Sequence, residues 1–126
     1  MACSVGGRRL PAGPGFSTGW RVANADWDAF VASRPVLAEV LRPFLRASLA
    51  EGALGVAQKE LIVVVLLAAQ GYEAGVRSHA GRALAAGASP EQLREALAML
   101  IPFEGIGRYL RAAGWVEAAM DAPPPA

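Results

Sequence analysis

Lys59-Glu60-Leu61-Ile62-Val63-Val64-Val65-Leu66-Leu67-Ala68-Ala69-Gln70-Gly71-Tyr72-Glu73-Ala74-Gly75-Val76-Arg77-Ser78-His79 is the stretch whose reading decides the fold. Its β-branched run, Ile62 to Val65, is compatible with a buried strand. Helix is the better reading, because the apolar segment extends over residues 57–70 and Ala68-Ala69-Gln70 continue it. No second strand candidate exists in the chain to pair with it. Apolar residues all round this helix predict burial on every side and hence a central position. Gln70-Gly71 then breaks the pattern as a tight turn, and a second helix is expected over 73–87, closed by Gly87 at the position after the C-cap. Two helices joined by so short a turn run roughly antiparallel. Glu60 precedes the turn by about ten residues and His79 follows it by about eight. At about 1.5 Å of rise per residue their levels differ by only about 3 Å, so the two side chains are expected within hydrogen-bond reach.

Outward from this hairpin the chain reads as helix throughout. Asn24 or Asp26 caps a short helix to about Ser33, with Trp27, Phe30 and Val31 on its apolar face. Pro35 restarts the chain at a first-turn position. The following helix, to about Glu51, carries Val36, Leu37, Val40, Leu41, Phe44, Leu45 and Leu49 at helical spacing, with a kink expected at Pro43. Glu51-Gly52-Ala53-Leu54-Gly55 is a turn. After Gly87, Ser89-Pro90-Glu91-Gln92 places serine at an N-cap, proline at the first helical position and glutamine at the third of a capping box. That helix buries Leu93, Ala96, Leu97, Leu100 and Ile101 and ends or kinks at Pro102. A last helix runs from about Phe103 to Met120, with Ile106, Tyr109, Leu110, Ala113 and Val116 inward. Residues 1–19, rich in Gly, Pro and Ser, are expected as a flexible arm, with Trp20 and Val22 as anchors at its end. Residues 121–126 form a proline-stiffened tail. The domain is therefore residues 20–120, all-α, with about six helices and short connections.

Composition narrows the function classes. The chain has 126 residues, 54% hydrophobic and 18% charged, which is one globular domain. A net charge of +1, with arginines scattered rather than clustered, gives no electrostatic footprint for nucleic acid or an anionic membrane. The apolar run at 61–69 is about half the ~20 residues of a membrane span. Arg8-Arg9 has no apolar segment after it, so no export signal is read there, and the expected location is cytoplasmic. The single cysteine, Cys3, excludes an internal disulfide and a CxxC redox or zinc motif. One histidine without clustered carboxylates cannot supply a metal site. Gly105-Ile106-Gly107 is too short for a phosphate loop.

The candidate site residues each have a plain structural alternative. Tyr72, Gly75, His79, Arg82 and Ala86 share one helical face. Glycine in a helix interior costs about 0.5–1 kcal/mol relative to alanine. Gly75, one turn before His79, therefore suggests open space or close backbone approach beside the imidazole. His79 is either an acid/base group in a small pocket or a core histidine bonded to a carbonyl. Glu60 is either a buried partner of His79 or a first-turn carboxylate favoured by the helix dipole. Tyr72 is either a phenol donor or a packing residue. Arg77, Arg82, Arg108 and Arg111 are either solvated or, at one of them, a bidentate holder of a carboxylate.

These residues together are familiar. Lys59-Glu60-Leu61-Ile62, Tyr72 to His79, and Ala83-Leu84-Ala85-Ala86-Gly87-Ala88-Ser89-Pro90-Glu91-Gln92-Leu93-Arg94-Glu95-Ala96-Leu97, followed by Phe103-Glu104-Gly105, resemble the carboxymuconolactone decarboxylase and alkyl hydroperoxidase D-like superfamily over about residues 35–118. The resemblance implies an alkyl hydroperoxidase D-like helical bundle that assembles as a homotrimer or hexamer, with sites near subunit contacts. The family's peroxidase branch carries C-x-x-C-x-x-x-H with a glutamate twelve positions before the first cysteine. On this chain that histidine falls on His79 and that glutamate on Glu60, while the cysteine positions fall on Tyr72 and Gly75. A disulfide-cycling peroxidase needs an attacking thiolate and a resolving thiol, so the resemblance implies the fold and the Glu60–His79 pair without the peroxidase activity. The decarboxylase branch also lacks a catalytic CxxC and handles small carboxylated lactones by acid/base chemistry, without metal or organic cofactor. Its usual pattern around the histidine differs from Tyr72–His79.

Two functions follow as expectations. The first is a cofactor-free lyase, decarboxylase or isomerase on a small organic acid or lactone. Glu60, His79 and Tyr72 would be its catalytic groups, and Gly75, Arg82 and Phe103 would line the substrate site. The second is an oligomeric binding or structural protein that keeps the scaffold without the chemistry. A cavity with Glu60 and His79 in contact favours the first, and space filled by Tyr72 favours the second.

Overall fold

The computed structural model describes residues 24–122. The expected arm, its anchors Trp20 and Val22, Cys3, and the end of the proline-rich tail lie outside the described residues. Among the described residues the helices are α1 (Ala25–Ser33), α2 (Pro35–Leu49), α3 (Val56–Ala69), α4 (Glu73–Ala85), α5 (Pro90–Ala98), α6 (Leu100–Glu104) and α7 (Ile106–Asp121). Since α6 is little more than one turn, the fold is an all-α bundle of six full helices, as the periodicity predicts. None of these helices is long and apolar enough to cross a membrane.

Local chemistry sets most boundaries. Asn24 caps α1, its Oδ1 accepting from the Trp27 N–H at 3.1 Å. The Ser89 box closes both ways at α5: the Gln92 N–H donates to Ser89 Oγ at 3.0 Å, and the Ser89 N–H donates to Gln92 Oε1 at 2.9 Å. The α3–α4 turn depends on Gly71 at φ +72°, a left-handed conformation that glycine adopts without steric cost. Lys59 ties α2 to α3 by donating its Nζ to the carbonyls of Ala50 (2.6 Å) and Ser48 (3.1 Å) at the end of α2. Arg94 on α5 and Glu117 on α7 form a two-pronged pair at 2.7 and 3.1 Å.

One boundary differs from expectation. The break after α5 falls at Met99, not at Pro102, and Phe103-Glu104 belong to α6 rather than to the last helix. Pro102 is the third residue of α6, inside the first turn, where a missing N–H leaves no intrahelical bond unmade. The true punctuation is Gly105, at φ +92°, ψ 155°, which re-aims the chain into α7.

The core lies between α3, α4, α5 and α7. Val64 and Ala68, Val76, Ala80 and Ala83, Leu93 and Leu97, Leu100, and Ala112, Val116 and Ala119 form one buried cluster. Helix α4 is the most enclosed: Gly75, Val76, Ser78, Ala80, Gly81 and Ala83 are all buried. Their small side chains let α3 and α7 close on it from two sides, and these are its largest interfaces. The apolar α3 was expected to hold that place. It buries only the stripe Glu60, Val64 and Ala68, while Ile62 and Leu66 remain exposed. The reason is numerical: the chain has too few helices to cover α3 all round. The same holds for α2, where Ala38 and Leu49 alone are buried and Val36, Val40 and Phe44 stay about two-thirds exposed. Ile101, Ile106 and Leu110, expected inward, are also exposed.

Candidate functional site

The α3–α4 hairpin places Glu60 and His79 on facing stripes. Glu60 is the fifth residue of α3, one turn in from the N-terminus, and is 3% exposed. It is therefore not a solvated first-turn carboxylate. His79 occupies the middle of α4 and reaches Glu60 directly: Nδ1 to Oε2 is 2.7 Å. The side chains are 19% and 4% exposed respectively. The nearly level placement expected from helical rise is what the fold provides.

The pair has a definite chemical sense. A buried carboxylate is stabilised only when paired or hydrogen-bonded, and His79 is the partner the structure gives Glu60. With the carboxylate accepting, the imidazole carries its proton on Nδ1 and donates it, leaving Nε2 as the acceptor. A carboxylate on Nδ1 is the orienting arrangement found behind a histidine base. His79 is the more exposed side chain of the two.

The remaining candidates are placed as follows. Tyr72 is the N-cap residue of α4, and its ring lies against Gly75. A Cβ at Gly75 would stand 2.5 Å from Tyr72 Cδ1 and 2.8 Å from Leu67 Cδ1. The glycine thus serves close approach, not open space. The Tyr72 hydroxyl donates toward the start of α1, 3.1 Å from Asp26 Oδ2 and 3.4 Å from Asn24 Oδ1. Arg82 lies half-buried on α4, one turn beyond His79. Phe103, on α6, is 78% exposed, so its own chain leaves the ring uncovered. Sequence reasoning did not foresee the contact of Tyr72 with Asp26 and Asn24, or the part of Leu67 in filling the notch. The bare glycine at position 75 was the available signal, since it required a large neighbour. Among the described residues no three His, Cys, Asp or Glu side chains gather as a metal-ligand set.

The model of the carboxymuconolactone decarboxylase family matches residues 35–118, which span α2 to α7 and include both members of the pair. The chain belongs to the carboxymuconolactone decarboxylase family. With Cys3 as its only cysteine, it is a member without the CxxC pair. No curated protein and no solved structure matches it.

Proposed function

We propose that this family member is a cofactor-free acid/base catalyst, a lyase, decarboxylase or isomerase, acting on a small organic acid or lactone. The observation that carries the proposal is the 2.7 Å contact between buried Glu60 and partly exposed His79. In this reading Glu60 fixes the imidazole through Nδ1, and Nε2 removes a substrate proton or returns one to a developing carbanion. Such a step contributes typically ~10²–10⁴-fold. Arg82, one turn along the same helix, holds the substrate carboxylate. Tyr72 donates its hydroxyl to a developing oxyanion, which requires it to leave Asp26 and Asn24. Gly75 and Phe103 line the site, and Phe103 does so where a neighbouring subunit covers it. The working form is a homotrimer or a multiple of it.

A panel of small organic acids and carboxylated lactones, followed by proton NMR in D₂O, tests the reading. Turnover or carbon-bound deuterium exchange is expected for a member of the panel. It should be abolished in His79→Ala and slowed in Glu60→Gln, with circular dichroism unchanged. Turnover that survives His79→Ala would overturn the assignment.

A second reading rests on a separate observation. Tyr72 and Leu67 fill the notch at Gly75, which favours a non-catalytic oligomeric binding or structural role on the same scaffold. A thiol peroxidase is the least favoured reading, because Tyr72 and Gly75 stand where the redox cysteines would be. Peroxide consumption driven by a thiol reductant and lost in Cys3→Ala would reverse that order.

A further inference from the structure

One cleft among the described residues carries charged side chains and lies away from the Glu60–His79 pair. It sits at the other end of α3, where the α3–α4 turn meets α7, and has a volume of about 350 Å³. Ala68, fully buried, is its floor. Glu60 lies eight residues earlier on α3, about 12 Å away along the helix axis. The size falls at the lower end of small-molecule sites, which run from about 300 to 1,000 Å³.

Two guanidinium groups face this cleft, spaced along one stripe of α7. Arg108 reaches across the turn and donates from Nη1 to the Ala69 carbonyl at the C-terminal end of α3. A Cβ at Gly71 would be 3.6 Å from the same nitrogen, so the turn glycine and the guanidinium lie side by side. That bond engages one Nη of Arg108 and leaves its other N–H groups for a ligand. Arg111, one turn further on, lines the same cleft and has no hydrogen bond or ion pair among the described residues. Trp115, a turn beyond Arg111, is half-buried against the core and supplies an aromatic wall. Gly107, one turn before Arg111, keeps the mouth open: a Cβ there meets nothing within 4 Å.

The charges select the ligand. Glu104 also lines the cleft, and the carbonyl end of α3 adds partial negative charge. These two offset one guanidinium, Arg108, which already serves the Ala69 carbonyl. One guanidinium, Arg111, is in excess, which suits a single carboxylate in bidentate geometry and disfavours a dianion. The indole face favours a flat apolar body behind that carboxylate. We infer that the cleft between the α3–α4 turn and α7 is a binding site for a small planar monocarboxylate, held by Arg111 and Arg108 against Trp115 and separate from the Glu60–His79 pair.

Benzoate is a suitable probe, with benzamide as its neutral counterpart. The readout is the indole N–H resonance of Trp115 in the full chain, identified by its loss in Trp115→Phe. Benzoate is expected to shift this resonance saturably, and benzamide to bind at least tenfold more weakly. Arg111→Gln should weaken benzoate at least tenfold. Gly107→Met, whose Cβ position is clear of the fold, should fill the mouth and abolish the response. Binding should persist unchanged in His79→Ala, which separates this cleft from the proposed catalytic pair. The inference is overturned if the Trp115 resonance does not move, if benzamide binds as well as benzoate, if Arg111→Gln binds like the native chain, or if the response disappears in His79→Ala.

Discussion

Gly75 shows how one residue records its neighbours. Alanine there gains about 0.5–1 kcal/mol of helix preference, yet its methyl would overlap the Tyr72 ring at 2.5 Å. Overpacking of this kind costs about 1–3 kcal/mol, and the ring is not free to drift while its hydroxyl is bonded to Asp26. Leu67 meets the methyl only with the tip of a flexible side chain, which can rotate away. Gly75→Ala is therefore expected to lower the urea midpoint. In a Tyr72→Ala background the same change should become neutral or stabilising. A double-mutant cycle reads the coupling directly, and an identical effect in both backgrounds would mean that the ring is not what the glycine accommodates. From sequence the glycine was legible as a sign of space or close approach. Which of the two it was could not be read, because the answer needs the rotamer of a residue three positions away and an acceptor on α1.

At the scale of elements, signals contained within one turn were legible and signals depending on a crossing were not. Ser89-Pro90-Glu91-Gln92 announces α5 because every partner of the cap lies within four residues. Pro102 misled because a proline in the first turn of a helix obstructs nothing, and the real break needed the left-handed Gly105. That residue makes a clear prediction. Its φ of +92° with ψ 155° is a region essentially reserved for glycine, so Gly105→Ala should cost about 1–3 kcal/mol. Gly114, inside α7, has open space at its Cβ position, so Gly114→Ala should stabilise by about 0.5–1 kcal/mol. Denaturant midpoints of opposite sign for the two variants check both statements. The clamp between α5 and α7 adds a pH dependence. Arg94 holds the Glu117 carboxyl below its usual range, first by hydrogen bonding and then by its charge. A depressed folded pKa means the contribution is present above the unfolded carboxylate value of about 4.3 and is lost as pH falls through the folded value. Glu117→Gln should therefore flatten the acid limb of stability against pH, and strong salt should shrink the difference, because the pair is exposed. Equal acid limbs for variant and native chain would remove the pair from the account.

For the whole molecule, the hairpin arithmetic placed Glu60 against His79 correctly because both lie on one supersecondary unit whose geometry is fixed by helical rise. Periodicity also found the apolar stripes of α2 and of the last helix, and the apolar character of α3 all round. What it could not say is which stripes face this chain's own core. Val36, Val40, Phe44, Leu66, Phe103 and Leu110 are each more than half exposed, although their spacing is that of buried faces. A single chain of this size cannot cover them. Its core is built largely of alanine, valine and a few leucines drawn mainly from α3, α4, α5 and α7, and that leaves Phe44, Phe103 and many of the larger aliphatic side chains outside. In the proposed trimeric working form these faces would be the association surface, buried by closed rotational symmetry. Sedimentation or light scattering at micromolar concentration is expected to give a mass that is three times that of the chain, or a multiple of three. Phe44→Glu and Val40→Glu change residues that are 67% and 70% exposed. The chain's own fold should therefore survive in both, by circular dichroism, while the mass falls toward that of the monomer. If the native chain is monomeric at that concentration, the exposed stripes need another explanation, and the part given to a neighbouring subunit at Phe103 falls with it.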